Sequence, residues 1–188
     1  MRKFLILLFI TASLTSVQAQ KWYQAGFKIS TNIALNRDYA DDIYLSKVRN
    51  MYFNGYFRAG KVIFGEVGLG YHFFKGTYTL DDGSQSLLET RYLAIPIKVV
   101  ADLKVGRHVS FLPQVGISYQ PLLKLAGDVI TFNKSMVENH WTMLTAGIDL
   151  RIGFIVLGVD YRYSFQNFFR NRGGEKPQFI NIGIGVQF

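Results

Sequence analysis

From residue 179 to the last residue, 188, the chain alternates. Ile180, Ile182, Ile184, Val186 and Phe188 are apolar, and Asn181, Gly183, Gly185 and Gln187 between them are small or polar. Successive side chains of a strand point to opposite faces, so this segment predicts a strand with one greasy face and one small or polar face. Its length suits a tilted membrane strand of about ten residues. The same period recurs seven times upstream. Tyr23, Ala25, Phe27 and Ile29 oppose Gln24, Gly26, Lys28 and Ser30, and Phe53, Gly55 and Phe57 oppose Asn54, Tyr56 and Arg58. Further on, Ile63, Val67, Leu69, Tyr71 and Phe73 face away from Glu66, Gly68, Gly70 and His72, and Leu93, Ile95, Ile97 and Val99 from Tyr92, Ala94, Pro96 and Lys98. Three more segments follow the rule: Phe111, Val115, Ile117 and Tyr119 against Ser110, Gln114, Gly116 and Ser118; Leu144, Ala146, Ile148 and Leu150 against Thr145, Gly147, Asp149 and Arg151; and Ile155, Leu157, Val159, Tyr161 and Tyr163 against Gly158, Asp160, Arg162 and Ser164.

The connections alternate as well. Short turns fall near Gly60, over 104–107 and near Gly153, and longer polar stretches over 36–50, 75–86, 121–139 and 166–178. About eight strands joined by alternating short turns and long loops predict an all-β fold, a closed antiparallel up-and-down transmembrane β-barrel. In that frame both termini and the short turns are periplasmic, and the long loops are extracellular. The competing architecture is a soluble β-sandwich, whose second face would be solvated and rich in Lys, Glu and Thr. Here that face holds glycines and scattered charges, and the apolar face carries interface-type tyrosines, which favours the barrel. Pro96 and Pro113 fall inside predicted strands, where Pro removes a ladder donor, so a bulge is expected at each.

Residues 1–19 stand apart. Arg2 and Lys3 precede the apolar run from Phe4 to Ile10, and Val17-Gln18-Ala19 supplies a cleavage site before Gln20. This reads as a cleaved secretory signal, too short for an anchor helix, and leaves 20–188 as the barrel domain. Cys is absent from the chain, so no disulfide framework exists. The 16 Phe and 11 Tyr beside only 4 Pro match the aromatic girdles of a membrane barrel.

Parity assigns the charges. Lys28, Arg58, Glu66, Lys98, Asp149, Asp160 and Arg162 all fall on the inward face, where a barrel of eight strands is just filled by side chains. Buried charges must pair, so these residues predict an ion-paired plug, with a gated or ligand-lined pore as the competing reading. An enzyme needs a nucleophile and a base within hydrogen-bond reach. His108-Val109-Ser110 has the His-x-Ser spacing of lipid A deacylases, but it lies beside a predicted periplasmic turn with no carboxylate close behind. His72 and His140 are placed nearer the extracellular rim. A lipid A-modifying enzyme is therefore the alternative function, and a narrow channel a further one. The preferred reading is a structural or interaction barrel of the cell envelope with no catalytic residues and no cofactor.

The formal net charge of +8 includes Arg2 and Lys3. No recognition motif accompanies it, so nucleic acid is not expected as a partner. Arg170, Arg172 and Lys176, with Asn167, Phe168 and Phe169, form a loop cluster able to hold lipopolysaccharide phosphates, although a solvated loop is the plainer reading. Asp38, Asp41, Asp42, Asp81 and Asp82 lack the spacing of a calcium loop, so no metal site is expected.

Tyr92-Leu93-Ala94-Ile95-Pro96-Ile97-Lys98 resembles the Tyr-Leu-x-Ile-Pro-Leu strand of PorT-like outer-membrane β-barrel proteins of the Bacteroidota. Gln114-Val115-Gly116, Gly147, Asp149 and Asp160-Tyr161-Arg162-Tyr163-Ser164 extend the resemblance over essentially the whole mature chain. It implies a small outer-membrane barrel without shared catalytic residues; an envelope protein is the expected partner, and an accessory place in a larger outer-membrane complex the expected role. The strand Ile180, Ile182, Ile184, Val186 and Phe188 resembles the closing strand of outer-membrane barrels. There a C-terminal Phe belongs to the signal read by the barrel-assembly machinery.

Overall fold

The computed structural model describes residues 22–36, 38–40, 43–80, 85–127, 137–170 and 176–188. The signal segment, Asp41, Asp42, Asp81, Asp82 and Arg172 lie outside them. The strands in chain order are β1 (Tyr23–Ala34), β2 (Asp38–Ala40), β3 (Ile43–Gly60), β4 (Ile63–Leu80), β5 (Gln85–Ala101), β6 (Leu103–Lys104), β7 (Val109–Gly127), β8 (His140–Ile152), β9 (Ile155–Ser164) and β10 (Gln178–Gln187). The eight long strands pair antiparallel in the order β1, β10, β9, β8, β7, β5, β4, β3, and β3 pairs back to β1. The sheet therefore closes on itself, and β2 and β6 are short ribbons on β3 and β7.

The two faces follow the alternation. Ile97, Val99, Val115, Ile117, Ile148, Val159 and Ile184 are about half exposed on the outside, while Lys28, Arg58, Asp149 and Arg162 are buried inside. Aromatic side chains cap the outer band. Trp22, Tyr23, Phe57, Phe111, Phe154 and Phe188 stand towards the turn end, and Tyr119, Tyr161 and Phe165 towards the loop end. A wall of this kind is stable against lipid and unstable in water, because exposed apolar area of that extent drives association.

Local chemistry sets the turns. The two residues Gly153 and Phe154 join β8 to β9. Gly153 has φ +61°, which a residue without a Cβ adopts at no steric cost.

The strands run further than the alternation alone delimits. Parts of the expected loops belong to β3, β4, β5 and β7, which extend to Ile43, Leu80, Gln85 and Gly127. The prolines also differ from expectation, since neither carries a bulge. Around Pro96 the β4–β5 ladder skips from Val67↔Ile97 to Gly70↔Ala94 and resumes in the same register. Gly68 makes room there, because a Cβ on it would stand 2.9 Å from Pro96 Cγ. Pro113 pairs with Ile148 on β8, and on its other side the β5 ladder stops at Val100↔Gln114. Omitting a few ladder bonds accommodates each ring. The bulges lie instead between Ser46 and Arg49 on β3 and at Leu123 on β7, opposite Arg91 and Tyr92.

Candidate functional site

The lumen is built from inward side chains on every long strand, and it is layered. Towards the turn end lies a charged layer. Arg58 Nε donates to Glu66 Oε2 at 2.6 Å and Arg58 Nη1 to Gln187 Oε1 at 2.9 Å, while Nη2 stands 3.4 Å from Asp149 Oδ2. Lys28 Nζ meets Asp149 Oδ1 at 2.5 Å, and Gln114 Nε2 donates to the same oxygen at 3.0 Å. Lys98 Nζ bridges Glu66 Oε1 at 3.3 Å and Gln114 Oε1 at 3.1 Å. Arg162 Nε donates to Asp160 Oδ1 at 2.7 Å, and its guanidinium lies 4.0 Å from the centre of the Tyr52 ring. All seven charged residues predicted to point inward are buried here. Five of them, Lys28, Arg58, Glu66, Lys98 and Asp149, form one connected network, and Asp160–Arg162 is a separate pair beside it. The space left among them is a cavity of about 10 Å³ lined by Lys28, Arg58, Glu66, Lys98, Asp160 and Arg162, room for about one water molecule.

Above the charges lies an amide layer. His72 Nε2 contacts Asn50 Oδ1 at 2.6 Å and Nδ1 contacts Gln120 Oε1 at 2.7 Å; Asn181 Nδ2 donates to Asn32 Oδ1 at 2.6 Å. His72 is thus fully buried in the lumen, on the inward face that the alternation gave it and on the loop-end side of the charged layer, below the rim itself. His140 does sit near the rim, with Nδ1 3.8 Å from Glu138 Oε1.

An aromatic layer closes the loop end. Phe74, Leu88, Tyr92, Val137, Trp141, Met143, Phe168, Phe169 and Phe179 form one buried cluster, with Trp141 stacked on Tyr92 at 4.5 Å. Phe168 and Phe169 therefore leave the loop cluster expected from their neighbours Arg170 and Lys176. They fold inward because the mouth offers apolar partners. Arg170 Nη2 lies 3.6 Å from Glu138 Oε1, and Lys176 Nζ stands 5.9 Å from the Tyr163 ring centre.

At the turn end Ser110 is buried, and its Oγ accepts from Arg151 Nη2 at 2.8 Å. Arg151 Nη2 also holds Asp102 Oδ2 at 3.0 Å. His108 is exposed on the adjoining turn, so the His-x-Ser spacing assembles no nucleophile–base pair. Among the described residues no group of three or more His, Cys, Asp or Glu could hold a metal ion.

Two parts of this site escaped the sequence reading: Gln187 as partner of Arg58, and the amide set around His72. Parity marked Gln187 and Asn181 as inward, whereas Asn32, Asn50 and Gln120 lay beyond the alternating segments, and only the register across the lumen reveals which of them meet.

The residues define a closed, eight-stranded antiparallel barrel, apolar outside and polar within. No family model matches the chain, and no curated protein matches it. Solved structures do. The outer membrane protein OprG from Pseudomonas aeruginosa is similar at 9% identity, over 88% of this chain and 95% of that one, with a TM-score of 0.54. A structure from the de novo design of transmembrane β-barrels is 13% identical over 90% of this chain and 98% of that one, with a TM-score of 0.45. Ail, the attachment invasion locus protein of Yersinia pestis, solved with a heparin analogue, is 15% identical over 88% and 96%, with a TM-score of 0.41. At these identities the likeness to OprG shows the barrel fold and nothing finer.

Proposed function

We propose that this chain is an integral protein of a bacterial outer membrane, with a lumen filled by its own side chains, and that it serves as a structural or interaction component of the cell envelope. The observation that carries the reading is the inversion of the two faces: half-exposed Ile97, Val115 and Ile148 outside, buried Lys28–Asp149 and Arg58–Glu66 inside. A barrel of this bore has little free section once such side chains fill it, and the ion pairs hold them in place. The short turns and both ends of the chain lie in the periplasm, and the loop end faces outward. The PorT-like resemblance supports an accessory role within a larger outer-membrane complex. The outward face of β10, with Ile180, Ile182, Ile184, Val186 and Phe188, serves as lipid anchor and assembly signal. Arg170, Arg172 and Lys176 are a candidate contact for lipopolysaccharide, and the protein acts without catalysis.

Isolation from native membranes in mild detergent tests the proposal. An envelope protein or lipopolysaccharide is expected to co-purify in stoichiometric amount, and the protein in planar bilayers is expected to give no stable conductance. Recovery of the protein alone, from a fraction other than the outer membrane, would overturn the reading.

A further inference from the structure

The outer wall carries a basic patch that neither the lumen nor the loop cluster accounts for. On β3, β4 and β5 the first outward position past the apolar run is a cation: Arg49 follows Met51, Lys75 follows Phe73, and Arg91 follows Leu93. On β7 the bulge opposite Arg91 and Tyr92 turns both Leu123 and Lys124 outward. The register brings these side chains together, since Arg49 pairs with Lys75, Lys75 with Glu89, and Arg91 with Lys124. Adjacent strands lie about 4.8 Å apart, so the four cations span roughly 14 Å of wall.

One carboxylate, Glu89, shares this row, and it is held by Arg91, with Nε to Oε1 at 2.7 Å. Among the described residues Arg49, Lys75 and Lys124 make no ion pair. Among the described strand residues the patch lies on one half of the barrel. On β8, β9, β10 and β1 the outward strand positions near the loop end include Thr142, Tyr163, Gln178 and Ile33, and the cations described on that side, Arg170 and Lys176, lie on the connection from β9 to β10.

Resting on the outer-membrane reading above, we propose that Arg49, Lys75, Arg91 and Lys124 form a site on the barrel wall for the phosphate groups of a membrane lipid whose acyl chains lie against the apolar band below. The chemistry is complementary at both levels. Arg and Lys give charge-assisted hydrogen bonds to phosphate oxygens, and basic side chains at an interface draw in anionic headgroups. Directly beneath them Phe73, Leu93, Tyr119 and Leu123 offer an apolar, aromatic surface for acyl chains. An outer-leaflet glycolipid phosphate and a phospholipid phosphate share this chemistry.

The test is native mass spectrometry of the full barrel in neutral detergent, titrated with bisphosphorylated lipid A, its dephosphorylated form, phosphatidylglycerol and phosphatidylcholine. The wild type is expected to retain lipid A, and to lose it when both phosphates are removed. The triple variant Arg49→Gln, Lys75→Gln, Lys124→Gln is expected to bind about a hundredfold more weakly, from the usual gain per basic residue at a charged surface. Glu89→Gln is expected to tighten binding. Equal retention of phosphatidylglycerol supports the phosphate site and assigns it to phospholipid. Unchanged binding by the triple variant, with folded mobility retained on unheated gels, would overturn the proposal, as would equal binding of phosphatidylcholine. Impermeant thiol labelling of the Lys124→Cys variant in whole cells reads the orientation separately. Failure to label refutes the outward loop end, and with it the glycolipid as ligand, without touching the binding result.

Discussion

Asp149 is the best single residue on which to test the account of the lumen. It is fully buried, and its two carboxylate oxygens receive Lys28 Nζ at 2.5 Å, Gln114 Nε2 at 3.0 Å and Arg58 Nη2 at 3.4 Å. Asp149→Ala removes all three contacts and leaves Lys28 without an ion-pair partner among the described residues. Breaking a buried pair in this way costs about 3–5 kcal/mol, mostly as the penalty of the stranded charge. The assay is urea unfolding of the refolded barrel in lipid vesicles, followed by tryptophan fluorescence, with Trp141 packed in the mouth cluster as a reporter. A double-mutant cycle sharpens it. Lys28→Met removes the stranded cation, so the double variant is expected to be more stable than Asp149→Ala alone, with a coupling energy of about 1–3 kcal/mol. Asp149→Ala within about 0.5 kcal/mol of wild type, the range of an ordinary surface substitution, would refute the reasoning. So would strict additivity of the two changes.

Three further outcomes are expected. Ile117→Arg places a charge on the outer wall and is expected to destabilise the barrel by about 2–4 kcal/mol if that wall faces the bilayer core. The same titration checks it, and a neutral result would argue for a hydrated exterior. Gly147→Ala puts a Cβ 2.6 Å from Asp160 Cα, whereas Gly65→Ala points into open space; the first is expected to cost about 1–3 kcal/mol and the second almost nothing. Phe188→Ala is expected to leave the refolded barrel close to wild type in stability while lowering the amount found in the outer membrane, measured by fractionation and immunoblot.

Which residues point inward was legible for all eight long strands, because one wall of a membrane barrel must be apolar along the whole bilayer crossing. That constraint lapses beyond the lipid. In β4, Lys75, Thr77 and Thr79 continue the strand without an apolar face, so its extension to Leu80 left no alternation to read. Partners across the lumen were also hidden. Lys28 and Asp149 stand 121 positions apart, and Arg58 and Gln187 stand 129 apart; parity puts each inside but says nothing of height or azimuth. Phe168 and Phe169 misled for a different reason. They follow the end of β9, where composition suggests a solvated loop, and only the shape of the mouth shows that it accepts them.

The contacts from Lys28 on β1 to Asp149 on β8 and from Arg58 on β3 to Gln187 on β10 exist only when the sheet is rolled up. An unrolled sheet in the bilayer would turn Lys28, Arg58, Lys98 and Arg162 towards hydrocarbon, with Asp149 out of reach of Lys28 and Gln187 out of reach of Arg58. Each such charge is expensive there, and β1 and β10 would also expose unpaired backbone edges. Half-inserted states are therefore penalised twice, which couples the rolling of the sheet to its passage into lipid.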